Sequence, residues 1–209
     1  MQIALHTDGA IYRPGHFPPA AQRELVTTVL AIVCEVPWYV PRMPRTGKPF
    51  SVLMTNCGPL GWVSDEAGYR YQSTHPETGT PWPPIPPALT ALWRAVGAPG
   101  DPEACLINRY HENARLGLHQ DRDEIDRSAP VVSVSLGDTA VFRIGGTTRK
   151  APTRSLRLAS GDVVSFGGPA RLVYHGIDRI LPGTSDLVPG GGRINLTLRR
   201  VNPVETGQA

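Results

Sequence analysis

From residue 104 onward the chain is cut into short apolar runs separated by glycine and proline, and this spacing constrains the fold more than any other feature. The runs lie at 104–110, 116–119, 130–136, 139–144, 155–158, 162–166, 171–176 and 193–200. Segments this short read as strands, because a globular helix needs about 10–12 residues to bury a face. Closely spaced strands can hide their apolar sides only against one another. The expected architecture is therefore mainly β, with a double-sheet jelly roll (a double-stranded β-helix) at its core.

The first hundred residues read differently. Pro14, Pro18 and Pro19 discourage an early helix, so residues 1–18 are expected to be extended and loop-like. From 19 to 36, Leu25, Val29, Ile32, Val33 and Val36 recur at three- and four-residue spacing until Pro37 stops the run. A second short helix over 87–96 carries Leu89, Leu92, Trp93 and Val96 and ends at Gly97. The basic turn Arg42-Met43-Pro44-Arg45-Thr46-Gly47-Lys48 is either a solvated hairpin tip or a lid that contacts phosphates. Residues 1–209 are expected to form one domain, with 1–103 an N-terminal α/β extension and lid over a catalytic core at 104–200.

Composition sets broad limits. A net charge of +3 and a pI near 8.9 suit a polyanionic partner without requiring one. Cys34, Cys57 and Cys105 lack zinc-site spacing, and an odd number does not make a disulfide framework. A reducing cytoplasm is the expected setting. No apolar run approaches membrane-spanning length and no signal pattern opens the chain, so no membrane partner is expected.

The chemistry concentrates after the first of the strand runs. In an extended segment, residues two apart share a side, so His119 and Asp121 can offer an imidazole nitrogen and a carboxylate oxygen to one metal ion. His175, in Tyr174-His175-Gly176 at the end of another strand-like run, is the best third ligand. Two His and one carboxylate with open positions define the facial triad of non-haem Fe(II) oxygenases. Near the C-terminus, alternation puts Arg193, Asn195, Thr197 and Arg199 on one face and Ile194, Leu196 and Leu198 on the other. Inward-facing arginines need an anion, since an unpaired buried charge is very costly. A dicarboxylic co-substrate would satisfy them, and the combination reads as a 2-oxoglutarate-dependent dioxygenase. Asn108 and Tyr110, two apart on one strand face, can hydrogen-bond the same co-substrate. Which arginine takes which carboxylate stays open.

Several motifs together resemble the AlkB family of nucleic-acid dealkylating dioxygenases. They are Asn108-Arg109-Tyr110, His119-Gln120-Asp121-Arg122-Asp123-Glu124, Val132-Ser133-Val134-Ser135-Leu136-Gly137, Gly161-Asp162-Val163, Tyr174-His175-Gly176 and the Arg193-x-Asn195-x-Thr197-x-Arg199 pattern. Met54-Thr55-Asn56-Cys57-Gly58 and Leu60-Gly61-Trp62 extend the likeness over roughly residues 50 to 200. The resemblance implies Fe(II), 2-oxoglutarate and O2 as cofactor and co-substrates. It also implies oxidative removal of N-linked methyl groups as formaldehyde, with 2-oxoglutarate converted to succinate and CO2.

The resemblance also suggests a substrate, alkylated DNA or RNA taken as a single strand or as a flipped base, since such a base cannot be reached inside a duplex. Trp62 and the Tyr69-Arg70-Tyr71 stretch match base- and nucleotide-binding positions, although aromatic residues also serve as core. Asp123, two residues past a metal ligand, would favour a cationic base such as 1-methyladenine or 3-methylcytosine. Arg149 is expected either at phosphate or base or on ordinary surface. His6, His16, His75 and His111 have no partner at ligand spacing. The chain is expected to act as a monomer. A tRNA-modifying or other-substrate dioxygenase of the same fold, and a non-catalytic nucleic-acid binder, are the alternatives.

Overall fold

The computed structural model describes residues 3–5 and 9–204; His6 lies outside them. Eight strands in the C-terminal half divide evenly between two antiparallel sheets. Strands β6 (Ala104–Tyr110), β8 (Val131–Gly137), β11 (Val163–Phe166) and β13 (Arg193–Arg199) lie in the larger sheet. Strands β7 (Leu116–His119), β9 (Thr139–Ile144), β10 (Arg154–Leu158) and β12 (His175–Leu181) form the smaller one, in the order β10-β9-β12-β7. Successive strands alternate between sheets for most of the run, as a jelly roll requires.

The N-terminal part widens the larger sheet. Strands β1 (Ile3–Ala4), β2 (Ala10–Arg13) and β3 (Leu53–Cys57) give it the order β1-β2-β11-β8-β13-β6-β3. Residues 1–18 are expected to be extended and loop-like; Ala10–Arg13 are extended, but as a strand paired in register with Val163–Phe166 rather than as loop. A partner far away in the sequence supplies the order that the local composition lacks. Strands β4 (Gly61–Asp65) and β5 (Gly68–Gln72) form a separate hairpin.

Helix α1 (Pro19–Glu35) buries Leu25, Val26, Val29 and Ile32, while Val33 is only partly covered. Helix α2 (Pro87–Ala95) buries Leu89, Leu92 and Trp93. These side chains share one core with Ile194, Leu196 and Leu198 of β13. The apolar face of β13 thus meets the core, leaving its polar face to line the space between the sheets. Among the described residues no helix is long and apolar enough to cross a membrane.

One expected strand is displaced. Residues 171–174 do not extend the run 171–176; Gly168–Ala170 form a 3-10 turn and Arg171 follows with helical backbone angles. The strand opens at His175 and continues to Leu181. His175 therefore begins a strand rather than ending one.

Candidate active site

Strand pairing assembles the metal ligands. Strands β7 and β12 are antiparallel neighbours with His119 directly opposite His175, and the two rings lie 4.5 Å apart. Gly176 permits this approach, because a Cβ there would sit 2.5 Å from the Leu116 carbonyl oxygen. The strand ends at His119, and Asp121 reaches the same point from the irregular segment that follows. One donor atom from each of His119, Asp121 and His175 lies within 4.8 Å of the others.

The two rings are held in the ligating tautomer. His119 Nδ1 donates to the Gly117 carbonyl at 2.9 Å, and His175 Nδ1 donates to Val173 at 3.1 Å. In a neutral ring each Nε2 then keeps its lone pair, and it faces Asp121, at 3.7 Å from Oδ1 for His119 and 3.8 Å from Oδ2 for His175. Burial, reinforced by His119, lowers the His175 pKa to about 4, so its ring is neutral at neutral pH. Burial alone would raise the Asp121 pKa. The Arg199 guanidinium, then His175 and His119, outweigh it and hold the carboxylate well below its usual range. Asp121 Oδ2 is buried without a hydrogen-bond partner. Two free imidazole nitrogens and an unpartnered ionised carboxylate oxygen fit a divalent metal, and the mixed N/O donor set suits Fe(II).

Asp121 sits in a buried charge network. Arg199 Nη2 donates to Asp121 Oδ1 at 3.0 Å, and its Nε lies 3.3 Å from Glu124 Oε1. Arg171 Nη2 donates to Glu124 Oε2 at 3.0 Å, and the Tyr71 hydroxyl donates to Glu124 Oε1. Arg171 carries no functional signal in the sequence, and Glu124 enters only as the last residue of the His119–Glu124 motif, without a role of its own. Glu124 sits in a run of charges that reads as solvated loop. The one local clue to Arg171 is an arginine inside the otherwise apolar Ala170–Val173.

A cavity of about 420 Å3 opens on the triad. Asn108, Tyr110, Asn195 and Arg199 line it, together with Ser133 and Thr197. Arg193 is not on its surface. That residue is 0% exposed, stacked 5.1 Å over the Tyr110 ring, and donates from Nη2 to Ser135 Oγ and Asn195 Oδ1. Its Nε and Nη1 have no partner, and neither do Arg199 Nη1 and Asn108 Oδ1. Among the described residues no acid partners Arg193, and burial lowers its pKa. This concentration of unsatisfied donors calls for an anion.

At the cavity mouth lie Trp62, Tyr69, Asp123 and Arg149, joined by Met43 and Phe50. Trp62 stacks on Tyr69 at 5.5 Å, and its Nε1 donates to Asp123 Oδ2 at 2.8 Å. Arg149 lies 5.9 Å over the Tyr174 ring. The remaining two residues of the Tyr69-Arg70-Tyr71 stretch do not line the cavity. Alternation along β5 sends Arg70 to the face opposite Tyr69, where Asp65 takes it in a two-pronged ion pair at 2.7 and 2.8 Å. Tyr71 passes behind the wall to Glu124. The turn 42–48 reaches the mouth through Met43, while its Arg42, Arg45 and Lys48 stay exposed. His75 is buried, with its ring bonded to the Pro37 carbonyl and the backbone of residues 77 and 78.

A jelly roll carrying a His-x-Asp…His triad defines a class, and the chain belongs to the 2OG-Fe(II) oxygenase superfamily, which it matches over residues 9–199. Within that superfamily it is a member of the AlkB family. It is 63% identical over 188 residues to the alpha-ketoglutarate-dependent dioxygenase AlkB homolog of Caulobacter vibrioides, covering 90% of this chain and 85% of the relative. It is 43% identical over 190 residues to AlkB of Escherichia coli K12, covering 88% and 87%. The solved structure of OsALKBH1 superposes with a TM-score of 0.83 at 30% identity, covering 96% of this chain and all of that one. The chain is an Fe(II)- and 2-oxoglutarate-dependent dioxygenase, and its Fe(II) site is His119, Asp121 and His175.

Proposed function

We propose that this enzyme oxidatively demethylates N-alkylated bases in DNA, with 1-methyladenine and 3-methylcytosine as its substrates. The observation that carries the reading is the placement of Asp123 and Trp62 at the mouth of the cavity that ends on the triad. An aromatic ring beside a carboxylate suits a base that is flat and positively charged. A methyl group on the pairing edge makes such a base cationic and cheaper to extrude, so it enters as a flipped nucleotide or from a single strand. The relatives named AlkB support a nucleic-acid substrate. A mouse relative named nucleic acid dioxygenase ALKBH1, 29% identical over 203 residues, keeps RNA in view as a second substrate.

Bound Fe(II), with 2-oxoglutarate and O2, supplies the oxidising power and yields succinate, CO2 and a hydroxylated methyl group that leaves as formaldehyde. The chain's part is to position and to exclude water. Arg193 and Arg199 hold 2-oxoglutarate through guanidinium nitrogens that lack partners, and Asn108, Asn195 and Tyr110 donate to it from amide and hydroxyl groups. Trp62 and Tyr69 stack at the base, Asp123 accepts from it, and Arg149 contacts the strand at the rim. We assign Arg70 to bracing the hairpin and Tyr71 to the wall. The enzyme acts as a monomer in the cytoplasm.

The test is mass spectrometry of DNA and RNA oligonucleotides, each carrying one methylated base, after incubation with Fe(II), 2-oxoglutarate and oxygen. Loss of one methylene mass (N–CH3 replaced by N–H) from 1-methyladenine and 3-methylcytosine DNA is expected. No demethylation of any oligonucleotide, with 2-oxoglutarate still consumed on another substrate class, overturns the reading.

A further inference from the structure

We propose that Arg171 is a positioning residue for the metal carboxylate, acting through the backbone of Asp121 and through Glu124. The residue is 5% exposed, and its three side-chain hydrogen bonds all go to one stretch of chain. Nη1 donates to the Asp121 carbonyl at 2.6 Å, Nε to the Ala129 carbonyl at 2.8 Å and Nη2 to Glu124 Oε2 at 3.0 Å. A guanidinium is a rigid fork, so three bonds fix the 121–129 segment in both position and tilt.

The other end of the brace is equally defined. Arg171 follows the 3-10 turn at Gly168–Ala170 and stands four residues before His175. The turn is what displaces the strand start to His175. One side chain therefore ties the segment that carries Asp121 to the segment that carries His175, the two parts of the triad that strand pairing does not join. His119 and His175 are already held by the β7–β12 ladder. Asp121 lies beyond the end of β7 and has no ladder of its own.

Glu124 completes the link. One of its oxygens takes Arg171, and the other faces Arg199 Nε and the Tyr71 hydroxyl. Arg199 in turn donates to Asp121 Oδ1 and leaves Oδ2 unpartnered beside His175 Nε2. The brace thus selects which carboxylate oxygen is presented to the metal. Partners of this kind typically tune metal affinity by about 10- to 100-fold.

The experiment titrates the purified, metal-free protein with Co(II) alone and reads the visible d–d absorption, so neither nucleic acid nor turnover enters. Arg171→Ala should weaken Co(II) binding by about 10- to 100-fold and alter the d–d band, and methylguanidinium added at millimolar concentration should restore most of the loss. Arg171→Lys should recover little, because an ammonium cannot make three planar contacts. Where Arg171→Ala does not fold, Glu124→Gln keeps the shape of the brace and removes its charge, and should still weaken Co(II) binding. Parental affinity and spectrum in a folded Arg171→Ala or Glu124→Gln protein overturn the proposal. So does a loss that methylguanidinium leaves untouched while Arg171→Lys restores it.

Discussion

The Trp62 indole nitrogen donates to Asp123 Oδ2 at 2.8 Å, across the mouth of the cavity that ends on the triad. This bond occupies one carboxylate oxygen and leaves Oδ1 for a ligand. A carboxylate so placed discriminates by charge, because a cationic base adds an opposite-charge attraction to a hydrogen bond that contributes about 1.5–3 kcal/mol. Asp123→Ala is therefore expected to lose about 10- to 100-fold in kcat/KM on 1-methyladenine or 3-methylcytosine, and much less on the neutral 1-methylguanine. Trp62→Phe keeps an aromatic face and drops the N–H. It should cost about 5-fold on the cationic bases, as the carboxylate loses its orienting donor. Equal losses on charged and neutral bases would instead mark Asp123 as a support for its loop.

His175 makes the metal-free protein sensitive to acid. Its folded pKa of about 4 lies below the unfolded value of 6.5, first through burial and then through His119. Between these values the unfolded chain binds more protons. The stabilising contribution is complete above pH 6.5 and is lost as the pH falls towards 4, to a total of about 3 kcal/mol. Denaturant midpoints of the metal-free protein should fall from pH 7 to pH 5, and His175→Gln should flatten that slope. Bound metal holds the ring neutral, so the loss should shift to lower pH when metal is present. Identical slopes for parent and His175→Gln would contradict the burial argument.

The two sides of the triad should fail differently when cut. His119→Ala and Asp121→Ala are both expected to abolish formaldehyde release. His119 is partly exposed, and its removal should hardly alter stability. Removing Asp121 leaves the buried Arg199 with Glu124 as its sole close acid, and breaking a buried pair costs about 3–5 kcal/mol. Thermal unfolding of the two inactive variants, compared in one buffer, checks the difference.

Elements with strong local signals were legible in the chain. The strand at 193–199 announced itself by alternation and the helix at 19–35 by its spacing, and both lie where those patterns put them. The spacing of His119 and Asp121 suggested the pair, and the Arg193–Arg199 alternation and the AlkB-like motifs made the metal reading, although Asp121 lies past the strand end rather than on it. What could not be read is what depends on a distant partner. Residues 10–13 become strand only because β11 is beside them. The hairpin at 61–72 carries too much glycine and polarity to signal strands. Arg70 faces away because Asp65, five residues earlier, holds it. Arg171 stands where a turn replaces an apparent strand, and nothing local says which acceptors a buried guanidinium will find. Glu124 is hidden among Asp121, Arg122 and Asp123, although the fold buries it and leaves Asp123 at the mouth.

The arginines of β13 look alike in sequence, but the structure gives them different loads. Arg199 is paired to Asp121 at 3.0 Å, and its pKa is raised by that carboxylate in spite of burial. Among the described residues Arg193 has no acid partner, and two of its nitrogens are unsatisfied. A co-substrate carboxylate therefore has most to offer at Arg193, provided the wall residues Tyr110 and Asn195 that cover it shift on binding. Arg193→Ala should raise the KM for 2-oxoglutarate by about 10- to 100-fold, the worth of one charged hydrogen-bonded contact, and leave metal affinity intact. Its stability should hold or rise, since the change removes an unpaired buried charge. Arg199→Ala should instead lower stability and metal affinity together, by stranding Asp121 and Glu124. A third possibility is that either arginine serves the nucleic-acid backbone. In that case its loss would weaken oligonucleotide binding with a shallower salt dependence and leave the 2-oxoglutarate KM unchanged. Measuring co-substrate KM, Co(II) affinity, melting temperature and the salt dependence of oligonucleotide binding on both variants separates the three outcomes. A parental KM for 2-oxoglutarate in Arg193→Ala would remove that residue from the co-substrate site.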